Sequence, residues 1–150
     1  MKTFQLGDSQ SVLKTLEEIV ELFAENNYEK AFHLFKEHQY FKYTPEKLKE
    51  TIETYFDDEP RKKVTSAYSA INLHPNKRRS LEFEDDDFVS VVHSKFPYCI
   101  CWCKKGDGYE ANYAHADLPL NGSWSDLTVK FEFDGSGNVC WLVLEDVEVM

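Results

Sequence analysis

No stretch of this 150-residue chain is apolar for long enough to cross a bilayer as a helix. Nor does it open with a charged start and an apolar run, since Met1-Lys2-Thr3-Phe4-Gln5 passes straight into Gly7-Asp8-Ser9. A secretory leader is therefore not expected, and a soluble cytosolic domain with no membrane partner is. The four cysteines then read as reduced thiols rather than a disulfide framework. Asn121-Gly122-Ser123 has the spacing of a glycosylation acceptor but, without export, reads as a turn. Catalytic signatures are equally missing. The chain has no Walker loop, no dinucleotide glycine fingerprint and no zinc-protease histidine pair, and Ser94, Ser123 and Ser125 lack a nucleophile-elbow context. No cofactor is expected.

Basic charge is scarce too. Lys and Arg total 17 against 27 Asp and Glu, a formal net charge of -10 and a pI near 4.9. The cations are uneven: Arg61, Lys62, Lys63, Lys77, Arg78 and Arg79 fall between Arg61 and Ser80, a stretch with no acid. Net negative charge repels a phosphate backbone and argues against nucleic acid as a partner. It suits solubility, or a positively charged protein partner.

What is present is enough to build a core. Hydrophobic residues make up 42% and aromatics 15%, too many for a disordered acidic chain. One domain over 1–150 is expected, with helices over about 9–57 and a sheet over about 62–150. Asp8-Ser9-Gln10-Ser11 offers N-caps, and Val12, Leu16, Ile19, Val20 and Phe23 recur at helical spacing, with Glu17, Glu18, Glu21 and Glu25 on the other face. Asn26-Asn27 breaks this helix, and Tyr28, Ala31, Phe32 and Phe35 make one stripe of a second. Thr44-Pro45-Glu46 starts a third, with Leu48, Ile52, Tyr55 and Phe56 inward, and Asp57-Asp58-Glu59-Pro60 ends it.

After Pro60 the period falls to two. Strands are expected at Ala67, Ser69, Ile71 and Leu73, at Phe88 to Val92, at Tyr98, Ile100 and Trp102, and from Tyr109 to Ala116. Two more follow at Leu127 to Phe133 and at Val139 to Val149, around the loop Asp134-Gly135-Ser136-Gly137-Asn138. Short connections such as Lys104-Lys105-Gly106-Asp107-Gly108 imply an antiparallel meander, so the fold class is α+β, N-terminal helices packed on a meander sheet. On the last strand, Trp141, Val143, Val147 and Val149 are expected on one side and Leu142 and Leu144 on the other, which predicts a central or near-central strand.

Several groups carry chemistry. Cys99, Cys101 and Cys103 would point to one face of a strand, about 7 Å apart, and read as small hydrophobes on a core face. His93 or His115 could complete a metal set, but nothing in the spacing requires it. His115 and Asp117 could project together as an acid/base pair or as a surface hydrogen-bonding pair. The cluster Glu82, Glu84, Asp85, Asp86 and Asp87 lacks the glycine and trailing glutamate of a calcium loop and reads as a solvated turn. It would still attract a basic protein, with Tyr109, Tyr113, Trp124, Asp146 and Glu148 extending the surface.

Leu16-Glu17-Glu18-Ile19-Val20-Glu21-Leu22, the Asn-Tyr break, Thr44-Pro45-Glu46-Lys47-Leu48 leading to Tyr55, Trp124-Ser125-Asp126-Leu127-Thr128 and Leu144-Glu145-Asp146-Val147-Glu148-Val149-Met150 together carry a resemblance. The chain resembles a family of small uncharacterised bacterial α+β proteins that end in this hairpin and strand, with Glu148 where the family places histidine. The order of elements is also similar to the NTF2-like cone. The resemblance implies lead-in turn roles for Ser125 and Asp126, with Trp124 packed over them, rather than catalysis.

Two functions stand open. One is a non-catalytic interaction protein of the immunity type, neutralising a basic toxin domain through Glu84, Asp85, Asp86, Asp87, Tyr109, Tyr113, Asp146 and Glu148. The other is an NTF2-like pocket protein that binds or converts a small apolar ligand, with His93, His115 or Asp117 in the cavity.

Overall fold

The computed structural model describes residues 1–40, 42–56, 60–71, 81–84, 89–95, 97–104 and 112–149, and for 81–84, 89–95, 103 and 104 the backbone alone. Its helices are α1 (Ser9–Ala24), α2 (Tyr28–Ala31) and α3 (Pro45–Thr54). Its strands are β1 (Phe4–Gln5), β2 (Lys36–Glu37), β3 (Leu81–Glu84), β4 (Val89–Lys95), β5 (Tyr98–Lys104), β6 (Tyr113–Leu120), β7 (Ser123–Ser136) and β8 (Val139–Val149).

The helices begin where local chemistry supplies caps. Asp8 accepts from the Ser11 amide at 3.2 Å and the Ser11 hydroxyl at 2.7 Å, which holds its carboxyl below the usual range. Asn26, at φ 60, takes the left-handed turn after α1, and Asn27 caps α2 by accepting from the Lys30 amide. Thr44 caps α3 by accepting from the Lys47 amide at 3.0 Å, with Pro45 in the first turn. Each such cap is worth about 1 kcal/mol. The second stripe is shorter than its spacing suggests: α2 ends at Ala31, and Phe35, buried beyond it, packs on Phe131 at 5.2 Å. Tyr55 does not face inward. It closes α3 and is 39% exposed, with its ring edge-on to Phe56.

The strands form one curled sheet in the order β1-β8-β7-β6-β5-β4-β3. From β3 to β8 every neighbouring pair is antiparallel, the expected meander, and β2 adds a short parallel pairing to β8. The chain is therefore α+β, with its helical layer first.

Register defines the core. Ile100, Ala114, Phe131 and Leu144 stand opposite one another in a row, and Tyr98, Ala116, Val129 and Val147 in the next. All eight are buried, against Val12, Leu16, Ile19, Val20 and Phe23 of α1. Trp102 stacks on Phe133 at 4.5 Å, and its indole N–H donates to the Ser9 hydroxyl at 2.7 Å, which ties the start of α1 to β5. On this face the described side chains of the sheet pack directly against those of the helices.

The cysteine row is corrected by the same register. Tyr98, Ile100 and Trp102 line the core, so Cys99 and Cys101, opposite His115 and Tyr113, project from the other face. The expected core row of cysteines is therefore overturned: the bulkier alternate set, Tyr98, Ile100 and Trp102, takes the core.

Three further expectations change. No strand covers 67–71. Val64, ahead of that segment, and Ile71, within it, make isolated bridges to the β6–β7 hairpin, with Ile71 62% exposed and Leu73 outside the described residues, and Glu21 of α1 holds the segment by accepting from the Ala67 amide at 2.9 Å. The loop after β7 is shorter than read: pairing continues to Ser136 opposite Val139, and only Gly137, at φ 64, and Asn138 turn the chain. Asn121 and Gly122, at φ 50 and 85, make the matching two-residue turn between β6 and β7. Last, Val147 does not share a side with Trp141 and Val143. Lys130 pairs with Asp146 but Phe131 with Leu144, so Glu145 is an extra residue in β8. This bulge reverses the alternation and returns Val147 to the core beside Val129. β8 is near-central only through two-residue partners, β1 at Val139 and Cys140 and β2 at Val143 and Leu144.

Ser125 and Asp126 lie within β7, not before it. Between the pairs Asp117–Thr128 and Pro119–Trp124, β7 has Ser125, Asp126 and Leu127 where β6 has Leu118 alone. The Ser125 hydroxyl spans this wide irregularity, donating to the Leu118 carbonyl at 2.7 Å and accepting from the Leu127 amide at 3.2 Å.

Candidate functional site

The helix-free face of β5–β8 gathers the ionisable side chains that the core excludes. Three register rows cross it. Cys101, Tyr113, Glu132, Val143 and Lys36 make one, Cys99, His115, Lys130 and Asp146 the second, and Asp117, Thr128 and Glu148 the third. Opposed residues on one face meet directly, so the alternation of each strand builds this surface without further instruction.

A groove of about 770 Å³ lies over the first row and reaches Lys130 of the second, within the range of ligand-binding clefts. One wall is the segment Lys36 to Tyr40, and the floor includes Asn112, Tyr113, Lys130, Glu132, Asp134, Val143 and Glu145. Bonds to the sheet set the wall in place. The His38 Nε2 atom lies 3.0 Å from a Glu132 carboxylate oxygen, and its Nδ1 accepts the Tyr40 amide at 3.0 Å. An imidazole that accepts at Nδ1 carries its proton on Nε2, so His38 donates to Glu132. Lys36 lies over the Trp141 ring at 4.8 Å, and Tyr40 stands 77% exposed on the rim.

The charges are partly matched. Lys130 lies 3.4 Å from Glu148 and 3.9 Å from Glu145. Asp146 accepts the Tyr43 phenol at 2.9 Å and the amide of Val147. Burial first, and that hydrogen bond second, push Tyr43 up to about 12. Asp117, buried, accepts the Thr128 hydroxyl at 2.8 Å, while the His115 ring lies parallel to Tyr113 at 5.6 Å. The structure thus engages His115 with an aromatic and Asp117 with a hydroxyl.

The thiols are quiet. Burial, then the neighbouring Cys101 and Asp117, push Cys99 up to about 11, so it stays protonated at neutral pH and is a poor nucleophile. Burial and the two thiols raise Tyr113 to about 12 in turn. Among the described residues no group of three His, Cys, Asp or Glu could hold a metal ion.

Of the residues expected at a partner surface, Tyr113, Asp146 and Glu148 come together here. Glu84 does not join them: it ends β3, at the opposite edge of the sheet from β8. Asp85, Asp86, Asp87 and Tyr109 lie outside the described residues, as do Lys77, Arg78 and Arg79. No periodicity in the sequence marks His38 or Tyr40. Lys130, Glu132 and Asp134 carried a signal, as the polar positions of an alternating strand. No family model matches the chain, and no curated protein or solved structure matches it at a significant level.

Proposed function

We propose that this chain is a non-catalytic protein-binding domain of the immunity type, which neutralises a basic toxin domain through the helix-free face of β6–β8. The observation that carries the reading is the groove itself. Four of its lining side chains are carboxylates, Glu37, Glu132, Asp134 and Glu145, against two lysines, and Asp146 and Glu148 extend the acid toward the tip of β8. Acid around an aromatic rim steers a cationic protein and gives it contact area. The overall charge of -10 acts in the same direction. Ser125 and Thr128 are occupied with backbone and Asp117, which suits a binding role better than a nucleophile's.

The NTF2-like alternative draws on the helix-then-meander order. It would place an apolar ligand between helices and sheet, where the described side chains of α1 and β5–β8 already pack together. The interaction reading is therefore preferred.

A photo-crosslinking residue in place of Tyr40, in cells of the source, tests it. The expected product is one basic protein that, once purified, rebinds the wild-type chain and loses affinity for Glu132→Lys with Glu148→Lys. Equal capture from a crosslinker at Glu29 on α2, or indifference of the captured protein to the two reversals, removes the proposal.

A further inference from the structure

We infer that the groove is a seat for an arginine side chain presented by the partner, in preference to lysine. The inference rests on the binding reading above and names the group that the face selects.

The argument starts from which charges in the groove are already met. Lys130 is spent on Glu148 and Glu145, and Lys36 lies on the Trp141 ring. Asp134 turns back to accept the neighbouring Gly135 amide at 2.8 Å. Glu132 is different. Its partner among the described residues is the N–H of an imidazole whose other nitrogen accepts a backbone amide, so no cation neutralises it. Its carboxylate keeps acceptor capacity, and Glu145 is met only at the long 3.9 Å contact.

The rings decide between the two basic side chains. Tyr40 lines the groove from the wall and Tyr113 from the floor. Tyr113 is half-buried, and its phenol stays protonated because burial disfavours the phenolate, so it adds no competing charge. A guanidinium is planar and weakly hydrated, stacks on aromatic faces, and offers paired donors to a carboxylate. An ammonium is a compact, strongly hydrated point charge that cannot stack in plane or offer a paired fork, and so gains less from the rings and the carboxylates together. Carboxylate acceptors set beside tyrosine rings in one recess therefore favour arginine.

The test uses the whole chain and capped five-residue peptides, Gly-Ser-Arg-Ser-Gly with its Lys and Glu counterparts, titrated by NMR. The arginine peptide should bind at least about threefold more tightly than the lysine peptide, with shifts centred on Tyr40, Tyr113 and Glu132, and the glutamate peptide should not bind. Glu132→Gln with Glu145→Gln should weaken arginine binding about tenfold. Glu29→Gln with Glu46→Gln, the same charge change on α2 and α3, should leave it within about twofold. Tyr40→Leu should erase the preference for arginine while lysine binding persists. Equal affinity for the two basic peptides, or equal weakening by both glutamine pairs, overturns the inference and leaves only diffuse attraction. If the crosslink at Tyr40 captures its basic protein while the arginine peptide fails, the seat is wrong and the binding face stands. Arginine selectivity with no captured protein means the reverse.

Discussion

Ser125 and Leu118 are joined by a hydroxyl where the ladder between β6 and β7 loses a rung, the Ser125 Oγ donating to the Leu118 carbonyl at 2.7 Å. The same oxygen accepts from the Leu127 amide, so one side chain satisfies two backbone groups inside a sheet. Ser125→Ala should cost about 1–3 kcal/mol, because both groups lose their partner in a half-buried site. Ser125→Thr should recover most of the loss. Urea denaturation of the three proteins decides it, and an alanine variant as stable as wild type would show that the hydroxyl is dispensable.

The bulge at Glu145 gives a sharper contrast. Deleting the residue should make the pairs Lys130–Asp146 and Phe131–Leu144 consecutive and keep Val147 in the core, whereas inserting one alanine between Asp146 and Val147 should turn Val147 out of it, at roughly 2–4 kcal/mol. Glu145→Ala keeps the count and should change stability by about 0.5 kcal/mol or less. If the insertion costs no more than the substitution, register does not hold Val147 in place.

Alkali should unfold the domain earlier than free tyrosines and thiols imply. Burial raises Cys99 and Cys140 from 9.0 to about 11, Tyr43 and Tyr113 from 10.0 to about 12, and Tyr28 and Tyr98 higher still. Each is raised above its unfolded value, so each contribution is fully present below that value and lost as pH climbs through the folded one. Stability should be level up to about pH 9 and then fall steadily to pH 12. Tyr98→Phe should flatten the upper part of the slope in denaturation curves taken at half-unit steps. The raised Cys99 value also predicts that its half-exposed thiol is alkylated slowly in the folded protein at pH 8 and fast in urea.

Trp141 offers a change in the other direction. Its indole N–H is buried with no acceptor among the described residues, beneath the amine of Lys36. Trp141→Phe removes the stranded donor and keeps a ring under the cation, so stability should hold or rise by up to about 1 kcal/mol in thermal melts. A loss above about 1 kcal/mol would mean that the donor is satisfied in solution.

The helical third was legible because caps are local: Asp8, Asn27 and Thr44-Pro45 act within a few residues of themselves. The strands were legible where alternation runs unbroken, as from Leu127 to Phe133. Bulges escaped because an inserted residue has no composition of its own, and Glu145 looks like any exposed acid. β1 and β2 escaped because two residues show no period. Ala67, Ser69 and Ile71 mimicked a strand, but their partners are a hairpin end and a helix carboxylate. At the site, Tyr113, Asp146 and Glu148 could be suspected as aromatics and acids on strands. His38 and Tyr40 could not, since only pairing of β2 with the far end of the chain brings them over Glu132.

That pairing has a consequence for the order of assembly. Among the described residues β1 and β2 each find a partner only in β8, Phe4 opposite Cys140 and Lys36 opposite Val143, and Tyr43 bonds Asp146. The earliest residues of the chain therefore wait for the latest, and every such contact closes a very long loop. During synthesis α1 can coil on its caps, yet its apolar stripe has no finished sheet to cover until β8 emerges. The domain should fold late and all at once, and the growing chain should carry exposed apolar surface for nearly its whole length.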